Sequence, residues 1–284
     1  MTTLGQAMGP PAWTGAALRF ASIALVAAVW ISSTIFGVYI VVHYGGAVAA
    51  HTLEDWNVTL PRLYEAETPG ASSGIGLHFM AGALLLVLGP IQLIQPLRSK
   101  APTLHRWIGR LYAVGALLAG VGGLTFMALK GTVGGLPMTV GFTAYGALMV
   151  LAALQTVRHA MARRLDVHRA WAIRLFALTI GSWLYRMGYG FWFLCAGDAG
   201  HTDEFSGWFD GVMDFAFFVL PMIVAEMFLR GRRGEASTGG RALAIVAVTG
   251  GAVFIAVATV FFTIYGWGPA IAVRFGGAVA STSF

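Results

Sequence analysis

From His78 to Tyr112 the chain reads HFMAGALLLVLGPIQLIQPLRSKAPTLHRWIGRLY: an apolar run, a Pro-broken basic turn, then the opening of a second apolar run, with a histidine at the mouth of each. No other stretch restricts the fold as strongly. A helix needs roughly 20 apolar residues to cross hydrocarbon, and this hairpin supplies one such run and begins another. Polar side chains at that depth cost roughly 2.5–3.5 kcal/mol on insertion scales, so the histidines within it are read first as candidates for function.

The pattern recurs along the chain. Apolar runs lie at about Ala17–Val42, Gly74–Ile94, Trp107–Leu129, Met138–Val157, Ala170–Ala196, Gly211–Leu229 and Ala242–Tyr265. This predicts an all-α polytopic membrane bundle of seven transmembrane helices, with residues 1–16 as a polar lead, 17–265 as the membrane domain and 266–284 as a tail. A cleaved signal peptide is the rival reading of the first run, because AVA at Ala47–Ala49 has the small-residue form of a cleavage site. The run is too long for a signal core of about 7–15 residues, and Arg19 makes a weak basic lead.

Lysine and arginine in short loops mark the cytoplasmic side. Arg19, Arg98, Lys100, Arg106, Arg110, Arg158, Arg163, Arg164, Arg169, Arg174, Arg230, Arg232, Arg233 and Arg241 fall on one side, fourteen of eighteen basic residues. Arg62, Lys130 and Arg274 fall opposite, with Glu54, Asp55, Glu65, Glu67, Asp198, Asp203, Glu204 and Asp210, and Arg186 lies within a run. The N-terminus is expected inside, the C-terminus outside, and the protein in the cell inner (cytoplasmic) membrane. With 57% hydrophobic and 11% charged residues, the chain departs from soluble domains, where charged residues are about 25%. The net charge of +6 is spread over short loops between apolar runs, so nucleic acid is excluded as a partner and the lipid bilayer is the expected one. One cysteine, Cys195, makes neither a disulfide framework nor a cysteine-built zinc site. The connection from Tyr44 to Ser73 reads as a solvated loop, with a lid over the bundle as the alternative.

Two segments repeat. GALLLVLGPIQ from Gly82 resembles GALMVLAALQ from Gly146, and LHRWIGRLYAV from Leu104 resembles VHRAWAIRLFAL from Val167. His105 and His168 are 63 residues apart, as are Gln92 and Gln155, which implies a duplicated hairpin in parallel orientation. Gly115, Ala119 and Gly123 form a small-residue ridge for close helix packing. Pro90 removes a backbone donor and bends its helix, and Gln92 is placed to bond the freed carbonyls.

Two functional classes follow from the polar residues. His105 and His168 at the inner side, and His43 with His78 at the outer side, are candidate haem b ligands, with Arg106, Arg169, Arg110 and Arg174 available for propionates. That reading implies electron transfer or haem handling and a redox or assembly partner in the membrane. The plainer reading is that these histidines cap helices and the arginines meet lipid phosphates. The second class is a non-enzymatic transporter, sensor or assembly partner without a cofactor, in which Arg186 and Asp214 form an intramembrane charge pair. Glu226 is expected to meet cytoplasmic arginines. No Walker, Rossmann, HExxH or GxSxG motif stands in a suitable context, so the sequence names no catalytic residues.

At LGPIQ, LHRWIGRLY and HRAWAIRLFALT the sequence resembles a prokaryotic multi-pass membrane family catalogued as domain of unknown function 2306. The resemblance covers about His78 to Phe193 and implies location and topology, with no substrate, cofactor or activity attached. The general layout also looks like that of b-type cytochromes. It departs from them in lacking a fourth core histidine, Phe142 standing near where a mate for His78 belongs.

Overall fold

A computed structural model describes residues 12–58, 61–231 and 238–276. The lead up to Pro11, Arg232 and Arg233 in the basic loop, and the tail after Gly276 lie outside the described residues. The helices are α1 (Ala12–Ile40), α2 (Gly46–Ala50), α3 (Pro69–Leu93), α4 (Gln95–Lys100), α5 (Pro102–Lys130) and α6 (Gly135–Met161). They continue with α7 (Leu165–Thr179), α8 (Gly181–Ala196), α9 (Trp208–Gly231), α10 (Thr238–Tyr265) and α11 (Trp267–Arg274). No strand occurs among the described residues.

Among the described residues six helical stretches are long and apolar enough to cross a membrane: Ala16–Ala50, Pro69–Leu93, Pro102–Lys130, Gly135–Met161, Trp208–Leu229 and Ala242–Arg274. The expected run at Ala170–Ala196 differs. It is divided into α7 and α8 by a turn at Ile180, whose backbone (φ −83°, ψ −4°) leaves the regular helix. Two contacts fix the break. Thr179 turns its hydroxyl onto the Phe176 carbonyl at 2.9 Å and onto Tyr112, while Gly181 lets Tyr145 approach so closely that a β-carbon would sit 3.0 Å from its ring.

The first span runs further than its hydropathy predicts. It passes through a π-helical turn at Val41–Gly45 and on to Ala50, so His43 lies within the helix rather than at its end. The AVA sequence is therefore helical, with Ala47 fully buried. The connection after it is folded, not a plain solvated loop. A 3₁₀ turn at Leu53–Val58 buries Trp56, whose indole donates to the Tyr44 carbonyl at 3.1 Å, and Leu63 is buried beside it. Past α10, Trp267 at the start of α11 is buried against Phe36 and Phe262, and Arg274 reaches back to Asp55 at 2.6 Å.

Helices α3 and α5 pack most extensively. Their backbones meet at Gly74 and Gly122, where each glycine faces the other's carbonyl and has no room for a side chain. The small-residue ridge serves this contact: Gly115 lies on Leu85 and Gly123 on His78. Pro90 stands inside α3, and the carbonyl its missing N–H leaves behind, that of Leu86, accepts a hydrogen bond from Ser33 Oγ of α1 at 3.2 Å. Gln92 does not serve that role. Its amide instead crosses to the His105 carbonyl of α5 at 3.3 Å.

The duplicated hairpin is visible in register. α5 begins at Pro102 and α7 at Leu165, again 63 positions apart (165 − 102), so His105 and His168 are each the fourth residue of their helix. Each donates its backbone N–H to the residue four before, Ala101 and Arg164.

Candidate functional site

The bundle has an arginine-rich end and an end that carries the 51–68 and 197–207 connections. At the arginine-rich end His105 and His168 stand in the first turns of α5 and α7. His168 Nδ1 lies 2.9 Å from the Thr156 carbonyl and therefore carries the proton there, leaving Nε2 free of that bond, while the buried Nδ1 of His105 has no hydrogen-bond partner. Just deeper, the space is closed. A β-carbon on Gly89 would stand 3.0 Å from Phe176 and 3.2 Å from Tyr112, and the Tyr112 hydroxyl is bonded to Thr179.

The arginines expected to face propionates point elsewhere. Arg106 bonds Thr103 at 3.2 Å and is exposed, Arg169 lies 4.0 Å from Asp166, and Arg110 stacks over Trp107. Arg174 lies over Trp171 and grips Glu226 with two contacts, Nε at 2.5 Å and Nη2 at 3.2 Å, as anticipated for that glutamate.

At the other end His43 and His78 are joined by a run of rings. His43 is edge-on to Tyr44 with centroids 4.8 Å apart, Tyr44 lies 4.2 Å from Phe79, and Phe79 is 6.0 Å from the imidazole of His78. Tyr39 stacks on His43 at 5.3 Å. Aromatic packing fills the region where a porphyrin slot was expected. His78 Nδ1 lies 2.8 Å from the Ala119 carbonyl, which requires the proton on Nδ1 and makes Nε2 an acceptor when the ring is neutral.

His78 also lines a cavity of about 360 Å³. Its walls come from α3, α5, α6, α8 and α10, and its rim from Pro61–Leu63, Gly131–Val133, His201 and Phe205. The lining is mostly apolar and aromatic, with Phe79, Phe126, Phe142 and Met149 among it, and Tyr185 and Arg186 supply polar groups. At the rim Arg62 and Lys130 both lie 3.1 Å from Glu65, the lysine in an ion pair set by distance rather than by an aligned hydrogen bond. These two cations hold the Glu65 carboxyl below its ordinary range.

Arg186 and Asp214 do not form the expected pair; among the described residues no ion pair joins them. They face different helices. Arg186 turns toward α1, its Nη2 3.5 Å from the Tyr44 hydroxyl and its guanidinium 5.4 Å from the centre of the Phe36 ring. Asp214 is buried under α6, where Gly141 admits its backbone carbonyl, and its Oδ1 has no hydrogen-bond partner.

The acid that organises this end is Asp210, which sequence reasoning placed in a loop. It is buried at the start of α9 and accepts from Tyr189 at 2.6 Å, His201 at 2.7 Å, and the backbone N–H groups of Thr202 and Gly207 at 3.1 and 2.9 Å. Tyr185 in turn donates to Tyr189 at 3.2 Å, so a hydrogen-bonded chain runs from the cavity wall to the 197–207 connection. His201 was not singled out in the sequence, where it stands nine residues before Asp210.

An all-helical chain with several membrane-length helices and a cavity sunk between them defines a multi-pass integral membrane protein. Residues 75–229 match the family described as "Predicted membrane protein (DUF2306)", and the chain belongs to that family. No curated protein and no solved structure matches. The match extends the stretch read from LGPIQ and the two HR motifs through α9, so it includes the Asp210 network and most of the cavity wall.

Proposed function

We propose that this protein is a non-enzymatic membrane protein, a transporter or sensor, that receives a small molecule in the cavity between α3, α5, α6 and α8. The observation that carries this reading is the cavity itself: about 360 Å³, apolar-walled, with a few convergent polar groups and a rim at the ends of three connections. Haem is not part of it, because aromatic rings occupy the region between His43 and His78, and the arginines near His105 and His168 are turned away.

In this reading α7 and α8 together make one broken span, the fifth of seven, and the fourteen basic residues face the cytoplasm. The N-terminus is then inside, the C-terminus outside, and the cavity opens away from the cytoplasm in the inner membrane. Broken spans are tolerated where they line a cavity, and α8 does so.

Single-cysteine labelling tests it in a Cys195→Ser background in lipid nanodiscs. A water-soluble maleimide is expected to modify Phe142→Cys in the cavity and to spare Leu151→Cys on the lipid-facing side of the same helix. Protection of both positions overturns the cavity. Labelling of Lys100→Cys from outside intact cells overturns the orientation, and a Soret band after expression with ample haem overturns the cofactor-free reading.

A further inference from the structure

We infer that the cavity takes an amphipathic monoanion, an aryl or alkyl carboxylate, whose charged group is held by Arg186. The inference rests on the cavity being a binding site and names the class of molecule it selects. Arg186 lies ten residues before the end of α8 at Ala196, about 15 Å of helix rise below its mouth. Its guanidinium has five N–H donors in a fixed fork. One of them reaches Tyr44, at 3.5 Å, and the Phe36 ring takes one face. No carboxylate lies within ion-pair distance of it among the described residues.

Among the described residues the other charged groups near the cavity each have an acidic partner. Arg62 and Lys130 share the single carboxylate of Glu65 at the rim, and the His201 ring lies 2.7 Å from Asp210. Asp210 and Asp214 are not among the cavity-lining residues. Among the described residues Arg186 is therefore a cation of this apolar, aromatic chamber with no carboxylate in contact. A half-buried charge at membrane depth is costly unless something pairs it, and the fork geometry of arginine matches a carboxylate with two parallel hydrogen bonds. Phe79, Phe126, Phe142 and Met149 give the complement for a flat or chain-like apolar body. The other two cations that line the chamber, Arg62 and Lys130, both lie on Glu65 at its rim, so Arg186 is left to pair a single charge rather than a doubly charged phosphate.

The test uses the purified full-length protein in neutral-lipid nanodiscs and three probes of one shape: 1-naphthaleneacetate, its neutral amide, and 2-(1-naphthyl)ethylammonium. Calorimetric titration is expected to give saturable binding of the acetate, at least tenfold weaker binding of the amide, and none of the ammonium. Arg186→Gln is expected to abolish the preference for the acetate over the amide, and Arg186→Lys to retain part of it. Because the comparison of acetate with amide is made on the unaltered protein, it does not depend on either variant folding. Equal binding of acetate and amide, or a preference that survives Arg186→Gln, overturns the monoanion and leaves the cavity standing. Failure of all three probes to bind overturns both.

Discussion

The hydroxyl of Ser33 on α1 donates to the carbonyl of Leu86 on α3, at 3.2 Å, and it does so because Pro90 has no N–H to offer that carbonyl. The bond ties α1 to the central pair at the point where α3 is weakest. Side-chain hydrogen bonds between membrane helices average about 0.6 kcal/mol and reach about 1.7. Ser33→Ala is expected near the upper figure, since the carbonyl is left buried and unpaired. In a Pro90→Ala background, where the helix recovers its own bond, the same change is expected to cost little. Reversible unfolding in mixed micelles over the four proteins measures this coupling.

Asp210 and Asp214 lie one helical turn apart and predict opposite outcomes. Asp210 accepts four hydrogen bonds, two of them from the backbone of the 197–207 connection, so Asp210→Asn is expected to lower stability by about 2–3 kcal/mol and to loosen that connection. Asp214 Oδ1 accepts none among the described residues, and Asp214→Asn is expected to be neutral or stabilising because it removes the charge from a buried carboxyl with an unpartnered oxygen. Thermal unfolding of the two variants side by side decides it.

The Asp55–Arg274 contact gives a pH dependence at the exposed end of the bundle. The Thr52 hydroxyl, and after it Arg274, hold the Asp55 carboxyl below its ordinary value of 3.8. A depressed carboxyl contributes stability that is present above its unfolded-state pKa and lost as pH falls through the lower folded value. Amide exchange in Trp267–Arg274, corrected for intrinsic rates, is therefore expected to stay slow from pH 7 down to about 4 and to quicken below it. Asp55→Asn is expected to quicken it already at pH 7.

Two glycines separate packing from propensity. A β-carbon on Gly141 would run into the Asp214 carbonyl, whereas one on Gly82 meets nothing within 4 Å. Gly141→Ala is expected to cost about 1–3 kcal/mol through overpacking, and Gly82→Ala to gain up to about 1 kcal/mol of helix propensity. Melting temperatures of the two variants check the contrast.

Much of this architecture was legible from local sequence. Apolar run length sets which segments can cross hydrocarbon, and loop arginines set an expected orientation, because each depends on residues close in the chain. The 63-residue repeat likewise gave the matched starts of α5 and α7, and Glu226 meeting Arg174 followed from charge and depth. The interruption at Ile180 was hidden because hydropathy is blind to backbone geometry, and the turn is set by Tyr112 and Tyr145 from two other helices. For the same reason Arg186 and Asp214 looked like partners. Both are charges in neighbouring spans, yet helix rotation sends one toward Tyr44 and the other beneath Gly141. The sequence by itself determined that this chain is a helical membrane protein and which residues are costly to bury. Only the tertiary structure decided which of those residues find partners, since partnership depends on the rotation and packing of helices far apart in the chain. Among the described residues it left Arg186 without a counter-ion in a cavity and gave Asp210 four donors.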